Sequence, residues 1–424
     1  MGALAVYRNP RLLAVFGQGF SSGLPLPLTT TTLTYWLARD GVDKTSIGLF
    51  ALFGMPYAFK FVWAPLLDHW TLPGTAALGR RRGWILALQA GLVAAIASLG
   101  LVDPTTAPLA TGLVVLALAF LSASQDIAVD AYRIEILADH EQGAGAAATQ
   151  AGYRAGMLAS GAGAIALADY ASWPETFSAL AFALALSMLC VVFAREPVRA
   201  GPGAPGAPAR PSLATTLRHA FLDPLADLAT RPRWPLVLAF ALLYKLGESV
   251  ALAMSNPFFV EQGFSGVEIA SLTKVVGLAA SVVGIVVGGA LVARARVRPA
   301  LILGGLLQAA TNLLYVWLAY AGHDLGVLAV AVVADNFTGG LASAAFVAYF
   351  SSLSRGAYSG TQFAVLTSLM AMGRTLFGGV SGWLATRTDW PEFWICTALL
   401  ALPGLLLLRA LPDPGRATPP PTDH

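Results

Sequence analysis

The stretch LATGLVVLALAFLSASQDIAVDAYRIEIL, residues 109–137, joins an apolar run to two carboxylates, Asp126 and Asp130. A mainly apolar run of about 20 residues predicts a helix that crosses a membrane. Charged side chains are costly inside a bilayer and mark functional sites there by default. Two aspartates four residues apart lie on one face of a helix. The stretch therefore predicts a membrane span that carries acidic residues for a functional reason.

The whole chain has the composition of a polytopic membrane protein. Hydrophobic residues make up 56% of its 424 residues and charged residues 12%, against roughly 25% charged in soluble domains. Its mean hydropathy is +0.67. The net charge of +3 gives no basis for nucleic-acid binding. The five histidines are scattered singly and the two cysteines lie in apolar runs, so no metal site is expected.

Hydropathy predicts about twelve spans, each of about 20 mainly apolar residues. The predicted spans, numbered in chain order, are 11–37, 45–67, 83–102, 109–132, 144–168, 174–194, 234–259, 267–292, 299–321, 325–352, 360–385 and 391–409. A Pro/Gly/Ala-rich piece, REPVRAGPGAPGAPARPS, separates spans 6 and 7. Spans 2 and 8 begin alike, with GVDKTSI and GFSGVEI, and each ends at an arginine cluster. Two similar six-helix halves are typical of secondary transporters.

We therefore predict an all-α polytopic membrane protein with the major facilitator fold, in two pseudo-symmetric halves. The N-terminal six-helix half is expected over 1–195 and the C-terminal one over 233–410. A cytoplasmic linker that can form an interfacial helix is expected over 196–232, and a disordered tail over 411–424.

The basic residues predict the orientation of the chain. Arginine-rich connections alternate with connections that carry only Arg39, Lys44 and Arg387. Because cytoplasmic loops are enriched in Lys and Arg, the arginine-rich side and both termini are expected to be cytoplasmic.

Ionisable residues inside the predicted spans are functional candidates, although fixed interhelical salt bridges are an equal alternative. They are Lys60, Arg154, Lys245, Lys274, Arg374, Asp126, Asp130, Glu248 and Asp335. Their charge is slightly positive in sum, which suits an anionic solute. Spans 1, 4, 7 and 10 of major facilitator folds face the central cavity, and here each carries polar side chains. Spans 3, 6, 9 and 12 are more uniformly apolar and are expected to face lipid, with Asn312 as an exception.

Ten residues are predicted to bind the solute. They are Gln18, Tyr35, Gln125, Arg154, Lys245, Glu248, Asn256, Asp335, Asn336 and Arg374. Arg154, Lys245 and Arg374 suit carboxylates, and the amides suit amide groups. Tyr35 is a candidate for stacking on a sugar, with an interfacial aromatic belt as the alternative. The run from Thr29 to Thr32 suits either helix packing or a substrate surface.

An ordered set of motifs resembles the AmpG-type muropeptide permeases of the major facilitator superfamily. The motifs are GFSSGLPLPLT, GLFALFGMPYAFKFVWAPLLDHW, LGRRRGW, ASQDIAVDAYRIEIL, GYRAGMLASGAGAIALAD, LLYKLGE, DNFTGGLASAAFVAY and TQFAVLTSLMAMGRTLFG. The resemblance runs from about residue 11 to 410 and leaves out the linker and the tail.

The resemblance implies proton-coupled import of anhydromuropeptides, N-acetylglucosamine–1,6-anhydro-N-acetylmuramyl peptides, from the periplasm of Gram-negative bacteria. It places the protein in the inner membrane, in a pathway of peptidoglycan recycling that also feeds β-lactamase induction. By motif position, the family's transport-essential aspartates fall on Asp126 and Asp130. The facilitator loop signature after span 2 is altered, because an insertion separates Asp68 from GRRRG.

Asp126 and Asp130 have two readings. A pair of carboxylates in a low-dielectric cavity can hold one proton between them and so couple transport to a proton gradient. Alternatively, the acids latch an inner gate by salt bridges. The residues assigned to this gate and charge network are Lys60, Asp68, Arg80, Arg81, Arg82, Arg133 and Glu135, with Lys60 as a candidate counter-ion of Asp126.

Several other classes of function stay open. An exporter of another anionic metabolite or drug, a channel and a membrane sensor are the alternatives. No Walker-type phosphate loop and no hydrolase motif occurs in the sequence, so an enzyme is not expected. We expect a monomer in membrane lipid, with the proton as coupling ion and no other cofactor.

Overall fold

The computed structural model describes residues 10–64, 67, 71–75, 78–137, 142–197, 229, 233–353 and 359–411. All regular secondary structure in these ranges is helical. The contacts divide the chain into two units. The first comprises Met1–Arg210 with Phe264–Ala270, and the second comprises Pro211–Gly263 with Ser271–His424. Asp68, most of the predicted linker and the predicted tail from residue 412 lie outside the described residues.

The first unit contains ten α-helices from residue 10 to 192 and one short helix after the seventh span. The ten are α1 (Pro10–Gly23), α2 (Pro25–Leu28), α3 (Thr31–Arg39), α4 (Lys44–Phe50), α5 (Met55–Phe59), α6 (Arg80–Leu99), α7 (Pro108–Ile136), α8 (Gln142–Leu158), α9 (Ala164–Leu167) and α10 (Trp173–Val192), all within the described residues. Asp43 caps α4 by accepting a hydrogen bond from the Ser46 backbone N–H at 2.9 Å. Hydrogen bonding from the Ser46 side chain and backbone holds the pKa of the Asp43 carboxyl below its usual value.

The helices of the second unit begin at residue 234. The numbering continues in chain order and includes the short helix of the first unit, α13. The helices are α11 (Trp234–Leu243), α12 (Leu246–Glu261), α13 (Gly266–Ile269, first unit), α14 (Gly277–Ala295), α15 (Val297–Ala321), α16 (Leu325–Leu353), α17 (Ser359–Arg387), α18 (Trp390–Leu399) and α19 (Leu402–Leu407). A π-helix, Ala270–Val276, leads into α14, and a second one, Ala159–Gly163, joins α8 to α9.

Eight helical segments in the described residues are long and apolar enough to cross a membrane, so the chain is a multi-pass membrane protein. They are Arg80–Leu99, Pro108–Ile136, Trp173–Val192, Trp234–Glu261, Gly266–Val292, Val297–Ala321, Leu325–Phe350 and Trp390–Leu407. They fall on predicted spans 3, 4, 6, 7, 8, 9, 10 and 12. The full count of about twelve stays a prediction.

Predicted spans 1, 2 and 5 are each interrupted. In span 1, α1 ends at Gly23 and α2 begins at Pro25, since proline cannot donate the helix hydrogen bond at its own position. In span 2, α4 and α5 alternate with 3-10 turns, the last of which is Lys60–Val62. In span 5, the π-helix Ala159–Gly163 lies between α8 and α9. The breaks in spans 1 and 2 leave neither of them with a single helix of the about 20 residues that a membrane crossing needs.

The threonine run of span 1 hydrogen-bonds to backbone carbonyls. The hydroxyls of Thr29 and Thr30 both donate to the Leu26 carbonyl oxygen at 2.9 Å. The Thr32 hydroxyl donates to the Ser160 carbonyl oxygen at 2.7 Å and so joins α3 to the π-helix of span 5. Of the two readings of this run, helix packing matches these contacts.

Apolar side chains are found both inside each unit and on its surface. In the first unit, Val15, Ile85 and Val191 are fully buried in one core cluster. In contrast, Phe182 is 71% exposed and Val286 of the second unit is 68% exposed. An apolar side chain gains nothing from burial against another helix when its alternative environment is lipid. This surface is the one expected of a bilayer-embedded protein.

Glycines let α1 and α8 approach backbone to backbone. A methyl group added at Gly152 would lie 2.1 Å from the Phe16 carbonyl oxygen, and one added at Gly156 would lie 2.2 Å from the Phe20 carbonyl oxygen. Gly152 and Gly156 form a G-x-x-x-G motif, which is typical of close helix packing in membranes.

We expect Gly156→Ala to destabilise the protein by about 1–3 kcal/mol, because the backbones of α1 and α8 must separate to admit the methyl group. Gly163→Ala is the matched control, since its methyl group would meet only the Leu158 carbonyl oxygen at 3.7 Å. Thermal unfolding of the purified protein in detergent measures both. An unchanged melting temperature for Gly156→Ala would contradict the tight contact.

Candidate functional site

Asp126 lies at a contact of three segments of the first unit. Its Oδ2 is 3.3 Å from the Lys60 Nζ, and its Oδ1 accepts a hydrogen bond from the Ser22 hydroxyl. Lys60 comes from the 3-10 turn after α5, Ser22 from α1 and Asp126 from the middle of α7. The Asp126 side chain is 15% exposed and the Lys60 side chain 38%. The buried carboxylate is therefore both neutralised and hydrogen-bonded, as a charge in an apolar surrounding requires.

Asp130 is placed differently although it lies one turn further along α7. Its side chain is 58% exposed, and its Oδ1 is 3.5 Å from a nitrogen of Arg133 on the same helix. The hydrogen bonds of the described residues include none between Asp126 and Asp130. Each carboxylate belongs to a separate ion pair in this structure, and the shared proton stays a prediction.

A buried amide and hydroxyl network lies beside Ser22. The Ser21 hydroxyl accepts hydrogen bonds from the Gln89 and Gln125 side-chain amides at 2.8 and 2.7 Å. It also donates to the Gln18 carbonyl oxygen at 2.9 Å. All four of these side chains are fully buried.

The amides of this network keep unused hydrogen-bonding capacity. The side-chain oxygens of Gln89 and Gln125, and both side-chain polar atoms of Gln18, are buried without a protein partner. A buried polar atom left unpaired costs about 1–3 kcal/mol. Such atoms have a partner when a ligand or water occupies the site. Gln18 and Gln125 were predicted to bind solute, whereas Gln89 was missed because span 3 was expected to face lipid.

An arginine and glutamate cluster closes one end of α6 and α7. Arg81 makes a bidentate contact with Glu135, with its Nη2 2.6 Å from Oε1 and its Nε 3.1 Å from Oε2. Arg80 Nη2 lies 3.4 Å from the same carboxylate. The guanidinium of Arg82 donates instead to the Val191 and Val192 carbonyl oxygens. The sequence assigned these arginines and Glu135 to one network, and the structure places Arg80, Arg81 and Glu135 in contact within the first unit.

Glu196 completes this cluster and was not predicted. Its two carboxylate oxygens accept hydrogen bonds from the backbone N–H groups of Arg81 and Arg82 at 2.9 and 3.0 Å. These N–H groups belong to the first turn of α6, where the helix leaves its donors unpaired and the helix dipole attracts a negative charge. In the sequence, Glu196 stands at the edge of the linker, where no motif marks it.

Tyr35 requires a correction. The side chain is 1% exposed, and its ring packs edge-on against Trp173 at 6.1 Å between centroids. Its hydroxyl accepts a hydrogen bond from Arg39 Nη1 at 2.9 Å. The ring is therefore covered in this structure, and Tyr35 offers no surface for sugar stacking. Trp36 is likewise packed inside, against Trp173 and Phe177.

Arg39 and Asp169 form an ion pair at the end of α3. Their shortest N–O distance is 2.5 Å. The other oxygen of Asp169 accepts a hydrogen bond from the Val267 backbone N–H at 2.7 Å, and so ties α13 into the first unit. Neither Arg39 nor Asp169 was predicted to be a functional residue.

The second unit contains a cavity of about 200 Å³ with polar and aromatic walls. Its lining residues are Glu248, Ala251, Leu252, Ser255, Ser281, Ile285, Gln308, Asn312, Tyr315, Asp335, Asn336, Gly339, Gly340, Ser343 and Trp394. Three predicted solute-binding residues, Glu248, Asp335 and Asn336, are among them. Lys245 reaches two of the lining residues, with its Nζ 2.6 Å from Glu248 Oε2 and 2.9 Å from the Ser343 hydroxyl.

Three other predicted solute-binding residues, Asn256, Arg154 and Arg374, do not line this cavity. Asn256 is buried but is not part of the cavity wall. Arg154 and Arg374 are exposed, and neither takes part in the hydrogen bonds and ion pairs of the described residues. Arg154 lies two residues from both Gly152 and Gly156, so it projects away from the face that packs on α1. Their role as carboxylate ligands stays a prediction.

No arrangement for a metal ion is present in the described residues. Groups of three or more His, Cys, Asp or Glu side chains close enough to hold one do not occur there. The charged and amide groups described above are ones that can bind protons and polar solutes.

Comparison with known proteins identifies the family. The profile of the Major Facilitator Superfamily matches residues 12–362 and 249–424. The anhydromuropeptide permease of Escherichia coli K12 is 38% identical over 407 residues, which cover 96% of this chain and 80% of the relative. The chain belongs to the AmpG family of major facilitator transporters. Its members are transporters and not enzymes.

Solved structures agree on the fold. The nucleoside transporter NupG superposes with a TM-score of 0.70 at 17% identity, and the match covers 96% of this chain and 99% of that one. A D-xylose–proton symporter superposes with a TM-score of 0.66 at 13% identity, and the match covers 97% and 98%. At these identities the likeness establishes the major facilitator fold and carries nothing about the solute of this family member.

We expect Glu135→Gln to lower the stability of the protein by about 1–3 kcal/mol, because Arg81, whose side chain is 4% exposed, loses its charged partner. Asp130→Asn on the same helix is the matched control. Its exposed carboxylate should contribute less than about 1 kcal/mol. Thermal unfolding in detergent compares the two variants, and equal losses would show that burial does not set the strength of these contacts.

Proposed function

We propose that this protein is a proton-coupled importer of anhydromuropeptides in the bacterial inner membrane. The observation that carries the proposal is the 38% identity over 96% of the chain to a protein named anhydromuropeptide permease. The ordered polar motifs of spans 1, 2 and 4 support it, since they supply the contact of Ser22, Lys60 and Asp126. Transport would proceed by alternating access as a monomer, with no cofactor besides the proton.

Asp126 is the proposed proton carrier. When it is ionised, it attracts Lys60 and accepts a hydrogen bond from Ser22. When it takes a proton, the attraction to Lys60 ends, and the segment that carries Lys60 is free to adopt another position. Since Ser22, Lys60 and Asp126 come from three different spans, one proton changes the contacts among all three. A two-state contact that a ligand biases is the element that coupling requires.

The solute is proposed to contact the amide network and the polar cavity. Gln18, Gln89 and Gln125 have unused amide atoms that suit the hydroxyls and amides of a sugar peptide. Lys245 and the exposed Arg154 and Arg374 are the candidate partners of peptide carboxylates. Periplasmic protonation of Asp126 would accompany solute binding, and proton release to the cytoplasm would reset the carrier.

Asp130 and the arginine cluster are proposed to act at the inner end of the same half. Asp130 is exposed and pairs with Arg133, while Glu135 holds Arg80 and Arg81. These contacts suit a structural or gating role better than proton coupling, because an exposed carboxylate exchanges protons with the nearest aqueous phase.

We expect Asp126→Asn to abolish uphill accumulation of anhydromuropeptide in proteoliposomes with a proton gradient directed inward. Exchange of labelled for unlabelled solute should persist, since exchange needs no net proton movement. Asp103→Asn is the control and should keep accumulation, because Asp103 is exposed in a loop outside the predicted spans. Wild-type protein that neither accumulates nor exchanges the solute would refute the proposed substrate. Uphill accumulation by Asp126→Asn would refute the role of Asp126.

The proposed orientation places both termini in the cytoplasm, on the arginine-rich side. A green fluorescent protein fused after His424 should be fluorescent in Gram-negative cells, and alkaline phosphatase fused there should be inactive. Fusions in the loop at Asp103 should give the reverse pattern. Active phosphatase at the C-terminus would overturn the orientation.

A further inference from the structure

The cavity of the second unit contains one more carboxylate than cation among its described groups. Glu248 is neutralised by Lys245, whose Nζ is 2.6 Å from Glu248 Oε2. Asp335 on α16 takes part in none of the ion pairs of the described residues. Carboxylates in a membrane interior are paired, protonated or bound to a cation. Asp335 is therefore the group in this cavity that calls for a further positive charge.

Within the part of the chain that the structure describes, the hydrogen-bond donors to Asp335 are both neutral, and both come from α15. The Gln308 side-chain amide donates from Nε2 to Asp335 Oδ1 at 2.7 Å. The Tyr315 hydroxyl donates to Oδ2 at 3.4 Å. The titratable groups around Asp335 are thus Tyr315 of α15, Glu248 of α12 and Lys245 at the start of α12. The walls from α14 and α18 contribute Ser281, Ile285 and Trp394, which do not titrate in the physiological range.

Gln308 connects Asp335 with the cavity. Its side chain is 9% exposed, and its amide nitrogen is used by Asp335. Its amide oxygen is buried without a partner. A methyl group at Gly339, another lining residue, would lie 3.1 Å from this oxygen. The amide therefore has one end on the carboxylate and the other end free to receive a donor.

The amide orientation depends on the protonation of Asp335. An ionised carboxylate only accepts hydrogen bonds, so Gln308 must present its N–H to it. A protonated carboxyl donates through its O–H, and a half-turn of the amide then presents the oxygen to Asp335 and the N–H group to the cavity. The terminal torsion of glutamine is broad and roughly two-fold, and oxygen and nitrogen are of similar size, so both orientations fit.

We propose that Asp335 is a second proton-binding site and that Gln308 is a positioning residue that transmits its state to the cavity. With Asp335 ionised, the cavity offers the Gln308 oxygen and takes a hydroxyl or N–H donor of the solute. With Asp335 protonated, it offers the Gln308 amide nitrogen and takes a carbonyl or carboxylate oxygen. The same cavity thus changes its preferred solute group when one proton binds. The role of this site in transport rests on the proposed function. The binding of a proton to Asp335 does not depend on that function.

Infrared difference spectroscopy tests the site without any solute. Reconstituted wild-type protein is compared between alkaline and acidic buffer. We expect a carboxylic-acid C=O band that appears on acidification and is lost in Asp335→Asn. We expect an amide C=O band that shifts over the same pH interval and is lost in Gln308→Leu. Asn312→Leu is the matched control, because Asn312 lines the same cavity on α15 and should leave both bands in place.

Each result decides the proposal. A carboxylic-acid spectrum that is unchanged by Asp335→Asn overturns the proton site. A carboxyl band that titrates while the amide band stays constant overturns the role of Gln308. If Gln308→Leu does not fold, Gln308→Asn replaces it. Its side chain keeps an amide but is shorter by one methylene group, which withdraws the amide from Asp335. Folding is checked by a single symmetric peak in size-exclusion chromatography.

A binding measurement separates this inference from the proposed function. In the Asp126→Asn background, the affinity for purified anhydromuropeptide should change with pH by about fivefold or more, the lower end of usual coupling between two sites. Adding Asp335→Asn should remove this change. No binding by the wild-type protein at any pH refutes the proposed substrate, whereas the infrared bands still decide whether Asp335 binds a proton. Binding whose pH dependence survives the double substitution refutes the coupling of Asp335 to the solute.

Discussion

The cost of charge inside a membrane protein organises this structure. Asp126 is a mostly buried carboxylate in a membrane-spanning helix, and it is stabilised by Lys60 and Ser22 from two other spans. Because a buried charge that loses its partner is strongly destabilising, the need to keep that charge compensated favours contact among the three segments. The breaks in spans 1 and 2 are compatible with this need.

The two units meet the same constraint in different ways. The first unit pairs its buried acid with a lysine, and it extends the polar region with the Gln18, Gln89 and Gln125 amides. The second unit uses Lys245 to neutralise Glu248 and leaves Asp335 with neutral donors. Pseudo-symmetric halves therefore need not carry equivalent electrostatics. The two proposed proton sites would therefore give solute and proton two separate points at which to influence each other.

The sequence predicted the parts of the molecule that lipid dictates. Spans 4 and 10 could be located because a bilayer demands long apolar runs, and Asp126 was evident because a charge in such a run is exceptional. Lys60 could be suggested as its counter-ion from depth alone. Glu196 could not be found, since its role depends on how the chain returns to α6 after span 6. Tyr35 was misjudged because a buried and an interfacial aromatic look alike in a sequence.

Gln89 and Gln308 show the limit of reasoning from hydropathy. Each is one amide in a span that is apolar enough to be assigned to lipid, and a single amide barely changes an average over about 20 residues. Their importance comes from the side of the helix on which they lie, and that side is set by the packing of α6 on α7 and α10 and of α15 on α16. Asp126 and Asp130 are a related case, because one helical turn separates a buried carboxylate from an exposed one, and periodicity alone does not place the boundary.

The close contact of α1 with α8 has a consequence for biosynthesis. The glycines that meet there, Gly23 and Gly152 among them, are separated by about 130 residues of chain. At 5–20 residues per second, the ribosome needs on the order of ten seconds to supply the second helix after the first. During that interval α1 lacks the helix that its backbone packs against at these glycines. This close contact can therefore form only after the intervening spans 2 to 4 have been synthesised.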